Sequence, residues 1–252
     1  GGQCVGASCY YLKLGGHSLL LDCGIGSNGG ASYHPDFLGL LQTGTVQSLN
    51  QISSVFISHA HLDHVGALGY FMRQVPAASV YMTALTRGLA EKQLWQYGRN
   101  FSPVRMQQQC VDVAYGQEIV CKDFRVKFLP AGHVPGAMMM LFSYGGRHIL
   151  YTGDYSLSDS PLTMAAAIPP EEIDTLIICG LHARHRYYSS GNSYAQLGDL
   201  LKCHVENNQS LYIKVKQLSK GVELLKLINQ VLGGVVPVYI DRSVLDVVRR
   251  FD

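Results

Sequence analysis

The apolar run Val55-Phe56-Ile57 ends one residue before His59-Ala60-His61-Leu62-Asp63-His64. A strand that feeds three imidazoles and a carboxylate must end at a cleft, because such side chains are costly to bury unless they hold a cation or one another. Imidazole with carboxylate suits Zn(II), with Mn(II) and Fe(II) as competitors. An accidental polar loop is the plain alternative, and the density of ligand types argues against it.

Acids and histidines recur at other strand ends. His17 to Leu21 reads as a strand closed by Asp22-Cys23-Gly24, Phe124 to Leu129 by Pro130-Ala131-Gly132-His133, and His148 to Tyr151 by Thr152-Gly153-Asp154. Two metals about 3.5–4 Å apart, sharing a carboxylate, would use such a set. His59, His61 and His133 can make a nitrogen-rich site, Asp63 and His64 can begin a second, and Asp154 can bridge them. This supports hydrolysis by a bridging hydroxide, with Asp63 also holding or relaying a proton. Asp22 fits the role of orienting a ligand imidazole, although alone it could simply cap a turn. The second site is one ligand short.

The remaining chain fits an α/β protein. Ser8 to Leu14 pairs with the His17 strand through Gly15-Gly16, and Met138 to Tyr144 pairs with the His148 strand through Gly145-Gly146. Pro35 to Leu41, Val65 to Arg73 and Thr83 to Tyr97 read as helices, the last with Thr83 as N-cap. Val80 to Met82, Glu118 to Cys121 and Thr175 to Ile178 read as strands, and residues 98 to 109 as a polar connector. Beyond residue 185 the helices Ser193 to Glu206, Ser219 to Leu232 and Ser243 to Phe251 alternate with expected parallel strands Leu211 to Val215 and Val236 to Ile240. The expected division is 1–184 and 185–252.

Composition sets limits. The chain has 252 residues, a net charge of only +2 and 47% hydrophobic residues, so it can build a large core but has no global basic field for nucleic acid. Its seven cysteines are unpaired in spacing and read as reduced thiols in an intracellular compartment, the nucleus in a eukaryote or the cytoplasm in a prokaryote. No apolar run is long enough to span a membrane, and no signal peptide opens the chain. It begins at Gly1 rather than Met, so the natural start is expected upstream.

These motifs, in this order, resemble the metallo-β-lactamase fold. Gly6-Ala7-Ser8-Cys9, Leu21-Asp22-Cys23-Gly24, Tyr81-Met82-Thr83, Ala131-Gly132-His133-Val134 and Tyr151-Thr152-Gly153-Asp154-Tyr155 look like its β-CASP branch of RNA-processing nucleases. That branch includes the pre-mRNA 3′-end cleavage endonuclease, the catalytic Integrator subunit and prokaryotic relatives. The resemblance implies an αβ/βα sandwich with the beginning of an inserted β-CASP unit after residue 185. It implies two zinc ions (Mn2+ as alternative) and hydrolysis of RNA phosphodiesters, endonucleolytic and also exonucleolytic. The partners implied are RNA and either subunits of an RNA-processing complex or a second copy in a homodimer, with no membrane. Cys179 stands where the family has an acid, and Ile213 to Leu218 replaces a Pro-rich turn. Two later family histidines, a metal ligand and a proton donor, are not among these residues, which are expected to be either a fragment or a degenerate or trimmed relative. His182, Arg184, His185 and Arg186 are expected either to touch phosphates or to be a solvated loop, and His182 or His185 could also complete the second site. Two alternatives stay open: a non-catalytic subunit of an RNA-processing complex, and a small-molecule hydrolase of the same fold.

Overall fold

The computed structural model describes residues 6–28, 31–97, 101–181, 190–215 and 218–250. Its core is two five-stranded sheets packed face to face. The chain opens with the hairpin β1 (Tyr10–Leu14) and β2 (His17–Leu21), a small ribbon β3 (Gly26–Asn28) and β4 (Ala31–Tyr33), and helix α1 (Phe37–Gln42). Then come β5 (Ile52–Phe56), α2 (Leu62–Val65), α3 (Leu68–Gln74), β6 (Ser79–Thr83), α4 (Ala84–Tyr97), α5 (Pro103–Gln109) and β7 (Cys110–Val113). The first sheet has the order β1-β2-β5-β6-β7, antiparallel at the hairpin and parallel thereafter. The second is built from β8 (Glu118–Val120), β9 (Phe124–Pro130), β10 (Met138–Tyr144), β11 (Arg147–Tyr151) and β12 (Thr175–Ile177).

Alternation along the strands decides what each layer holds. Leu19 and Leu21 of β2 face the space between the sheets with Phe56, Phe128, Met140 and Phe142. Leu20 points the other way, with Val55, Ile57 and Val80, onto Phe71, Met72, Leu89 and Leu94 of the helices. Three adjacent leucines therefore serve two cores, and each is fully buried, a contribution of about 1.5–3 kcal/mol per side chain. Phe56 is the hinge pin of the inner layer, stacked on Tyr81 at 4.9 Å and edge-on to Phe142 at 5.2 Å. The outer face of the second sheet carries Leu129, Met139, Leu141 and Leu150 against Tyr155, Ala166 and Ile173.

Several expectations are corrected. The helix expected over Val65 to Arg73 is two short helices, α2 and α3, separated at Gly66-Ala67. The connector expected over 98–109 contains α5, capped by Ser102 with Pro103 in its first turn, and leads into β7. After α6 (Ser190–Glu206), neither Leu211 to Val215 nor Val236 to Ile240 is a strand. A strand is defined by a paired ladder, and these segments have none: Tyr212 is 89% and Tyr239 93% exposed. The helices α7 (Lys220–Leu232) and α8 (Arg242–Val248) dock on the first sheet's helical layer. Leu218, Val222 and Val247 join its core, and Lys92 Nζ donates to the Ser243 carbonyl at 2.6 Å. No described helix is long and apolar enough to cross a membrane.

Candidate metal centre

The site lies where the carboxyl ends of β2, β5, β9 and β11 meet. Its organising residue is Asp22. Asp22 is fully buried and adopts φ +60°, a left-handed conformation that Asp tolerates better than most residues. That turn aims its carboxylate across the strand ends. Asp22 Oδ1 accepts from Ser58 N at 2.6 Å, and Oδ2 accepts from Ser58 Oγ at 2.7 Å, His64 Nδ1 at 2.6 Å and the Tyr151 hydroxyl. A buried carboxylate is tolerable only with such donors.

The loop after Asp22 grips the histidine motif. Cys23 N donates to His64 O at 2.8 Å, Ile25 N to Leu62 O at 3.0 Å, and Ala67 N to Cys23 O at 2.9 Å. Gly24 is obligatory, since a Cβ there would stand 1.7 Å from the Asp63 carbonyl oxygen. On the opposite wall, the His133 loop is held to α4 by Gly136 O, which accepts from the hydroxyls of Thr83 and Thr86 at 2.9 Å each. Thr83 Oγ1 also accepts from Thr86 N at 3.1 Å, as its expected N-cap role requires. Gly153 turns at φ +52° so that the chain can press on Ser58 before Asp154.

Four of the expected ligands converge: His59, His61, His133 and Asp154 each offer one atom, all within 4.8 Å of one another. His61 Nδ1 lies 2.9 Å from His59 Nε2 and 3.3 Å from His133 Nε2, and Asp154 Oδ2 lies 3.6 Å from His133 Nε2 and 4.0 Å from His59 Nε2. Ligands on a tetrahedral zinc at about 2.0–2.1 Å stand about 3.3 Å apart, so the set has the spacing of a metal cage. The tautomers agree. The Ser58 hydroxyl donates to Asp22 and so accepts from His59 Nδ1 at 3.0 Å, leaving the Nε2 lone pair facing the cluster.

Asp154 faces two ways. Its other oxygen, Oδ1, is 3.5 Å from His64 Nε2, which is 3.8 Å from Asp63 Oδ2. The residues expected to begin a second site are thus adjacent to the first through one carboxylate. The four-ligand cluster contains neither Asp63 nor His64.

Charge follows this division. Burial, then the neighbouring imidazoles, holds His59 well below the usual histidine range. Burial also lowers His61, and it lowers His133 to about 4, with His61 adding to the effect. Near neutral pH these are neutral imidazoles, the form that binds metal. Burial opposes charge on His64 as well, but Asp22 and Asp154 outweigh it and raise His64 to about 10. Burial likewise resists ionisation of Asp154, yet His64 and then His133 hold it well below the usual carboxylate range. His64 therefore holds its proton between the Asp22 and Asp154 carboxylates.

Two residues of this network carry no ligand signal in the sequence, Ser58 and Tyr151. Only strand register brings Tyr151 to Asp22. Cys179 N donates to Thr152 Oγ1 at 3.2 Å at the same edge. His182, Arg184, His185 and Arg186 lie outside the described residues.

A family model described as the metallo-beta-lactamase superfamily matches residues 2–201. Cleavage and polyadenylation specificity factor 73 of Drosophila melanogaster is 31% identical over 244 residues, covering 91% of this chain and 34% of the relative. Endoribonuclease ysh1 of Schizosaccharomyces pombe is 29% identical over 245 residues, covering 91% and 31%. Integrator complex subunit 11 of Gallus gallus is 34% identical over 247 residues, covering 90% and 40%. The chain thus spans about a third of the length of these relatives. Among solved structures, a protein of unknown function from Enterococcus faecalis V583 superposes with a TM-score of 0.65 at 15% identity, over 89% of this chain and 60% of that one. That likeness concerns the fold alone.

Proposed function

Because the chain belongs to the metallo-β-lactamase superfamily, we propose that it is the metal-bearing part of a ribonuclease, a hydrolase that cuts phosphodiester bonds within RNA and also trims from an end. One observation carries this reading: the cluster of His59, His61, His133 and Asp154, extended through the second oxygen of Asp154 to His64 and Asp63. The choice of RNA rests on similarity to relatives named as an endoribonuclease and as subunits or factors of cleavage and Integrator assemblies.

The cofactor proposed is a pair of zinc ions, with Mn(II) as competitor. His59, His61 and His133 would hold one, His64 and Asp63 the other, and Asp154 would serve both. When bound, the ions supply Lewis-acid stabilisation of charge at the attacked phosphorus and a water acidic enough to ionise near neutral pH. The chain's own residues do the rest. Asp22 fixes His64 through Nδ1, so that its Nε2 faces the cleft. Asp63, with its side chain 40% exposed at the rim, would hold or relay a proton. The stretch His182, Arg184, His185 and Arg186 would meet phosphates. Residues 1–184 would form the catalytic unit and 185–252 the start of a β-CASP unit. Subunits of an RNA-processing assembly, or a second copy, are the partners proposed. A reducing intracellular compartment agrees with the free cysteines.

The test is cleavage of labelled single-stranded RNA by the zinc-loaded chain, with binding measured in parallel. Cleavage is expected in the parent and lost in Asp63→Ala, with affinity falling steeply as salt rises, because phosphate contacts release counterions. Intact RNA together with salt-independent binding would overturn the proposal.

A further inference from the structure

We propose that Cys179 is the missing donor of the second metal position, supplying a thiolate beside Asp63, His64 and Asp154. This inference rests on the two-metal reading above and names a ligand for it.

Strand register brings Cys179 to the edge of the cluster. β12 runs parallel to β11 with Tyr151 opposite Ile177, and Thr152 N donates to Ile177 O at 3.0 Å. Two residues further, Cys179 N donates to Thr152 Oγ1 at 3.2 Å. Cys179 is therefore level with Gly153, directly beside Asp154. Its thiol stands near enough to Asp154 to help hold that carboxylate low, while burial, with the charges of Asp154 and Asp63 adding to it, raises the thiol itself. Asp154 Oδ1 meanwhile faces His64 Nε2 at 3.5 Å, and Asp63 Oδ2 is 3.8 Å from the same nitrogen. An imidazole, two carboxylates and a thiol from three chain segments thus share one corner. That corner adjoins a cluster already spaced for a metal through a residue common to both. Cys179 is half-buried, open enough for an ion to reach, whereas Cys23 is sealed in the core and Cys203 is exposed on α6.

In the metal-free chain burial favours the protonated thiol. On binding, the S–H bond breaks, a sulfur–metal bond forms and the proton leaves to solvent, so charge balances without a redox partner. A soft thiolate would favour zinc, cobalt or cadmium over manganese or magnesium.

Cobalt(II) titration of the metal-stripped chain tests this without reference to activity. A near-ultraviolet thiolate-to-cobalt charge-transfer band is expected to grow with the second equivalent rather than the first. Cys179→Ser should abolish the band and weaken the second equivalent on the order of tenfold or more, with the first unchanged. Cys179→Asp should restore the second equivalent without the band, and Cys203→Ser should keep it. Two equivalents bound with no band, or a band that survives Cys179→Ser, would overturn the assignment and leave the two-metal reading standing. Uptake of only one equivalent by the parent would overturn both.

Discussion

Asp22 carries more of the site than any ligand, although it touches the metal cluster only through others. Its carboxylate satisfies Ser58, His64 and Tyr151, and through Ser58 it fixes the tautomer of His59. Asp22→Asn keeps the volume but faces those donors with an amide NH2. Zinc affinity is expected to fall about 10–100-fold with the fold retained, as read by competition with a chelating dye; unchanged affinity would remove Asp22 from its orienting role. Two histidines pull stability in opposite directions. His133, lowered to about 4 from 6.5, must be protonated against its environment, so its cost grows as pH falls from 6.5 toward 4. His64, raised from 6.5 to about 10, contributes stability that is complete below 6.5 and lost as pH rises toward 10. Asp154, held low, adds to the loss on the far acid side. The melting temperature of the metal-free chain should therefore peak near 6.5 and fall on both sides; a steady rise across that window would contradict the assignment. At this scale the sequence was a good guide. Ligand-type side chains cluster locally and mark themselves, but Ser58 and Tyr151 act through hydroxyls that many residues carry for no purpose.

The element that makes the centre possible is the loop 22–25, laced by backbone hydrogen bonds to α2. Its weakest point sterically is Gly24. Gly24→Ala places a methyl 1.7 Å from Asp63 O and 2.7 Å from His64 N, so α2 must shift away. The expected result is loss of the second metal and a destabilisation of about 1–3 kcal/mol, measured by zinc stoichiometry and denaturant unfolding; normal uptake of both ions would show that the loop is more forgiving than its contacts imply. Strands such as β2, β9 and β10 are legible from sequence because they are apolar: β9 alternates in part, while β2 and β10 are nearly continuous apolar runs with a core on each face. β7 was not: Cys110-Val111-Asp112-Val113 is short and half-exposed, and only pairing with β6 makes it a strand. The opposite failure occurred at Leu211 to Val215 and Val236 to Ile240. Their residues suit strands, but pairing is not a property of a segment, and among the described residues no partner lies beside them.

Seen as a whole, the molecule uses two sheets as a rigid frame and carries its histidines and acids at one end, on the strand-end loops and on α2. The sheets bury their alternate faces in three cores, so the strand ends are fixed relative to one another. That rigidity holds His59, His61 and His133 within reach of one another. The α7 and α8 helices pack against the same frame, so the segment after residue 218 is anchored to the two-sheet core. The property on which the proposed chemistry depends is metal binding. Equilibrium dialysis of the stripped chain against zinc, with metal content read by plasma emission, measures it directly. Two ions per chain are expected for the parent and a loss of the nitrogen-rich site in His133→Ala; less than one ion per parent chain, or equal uptake by His133→Ala, would contradict it.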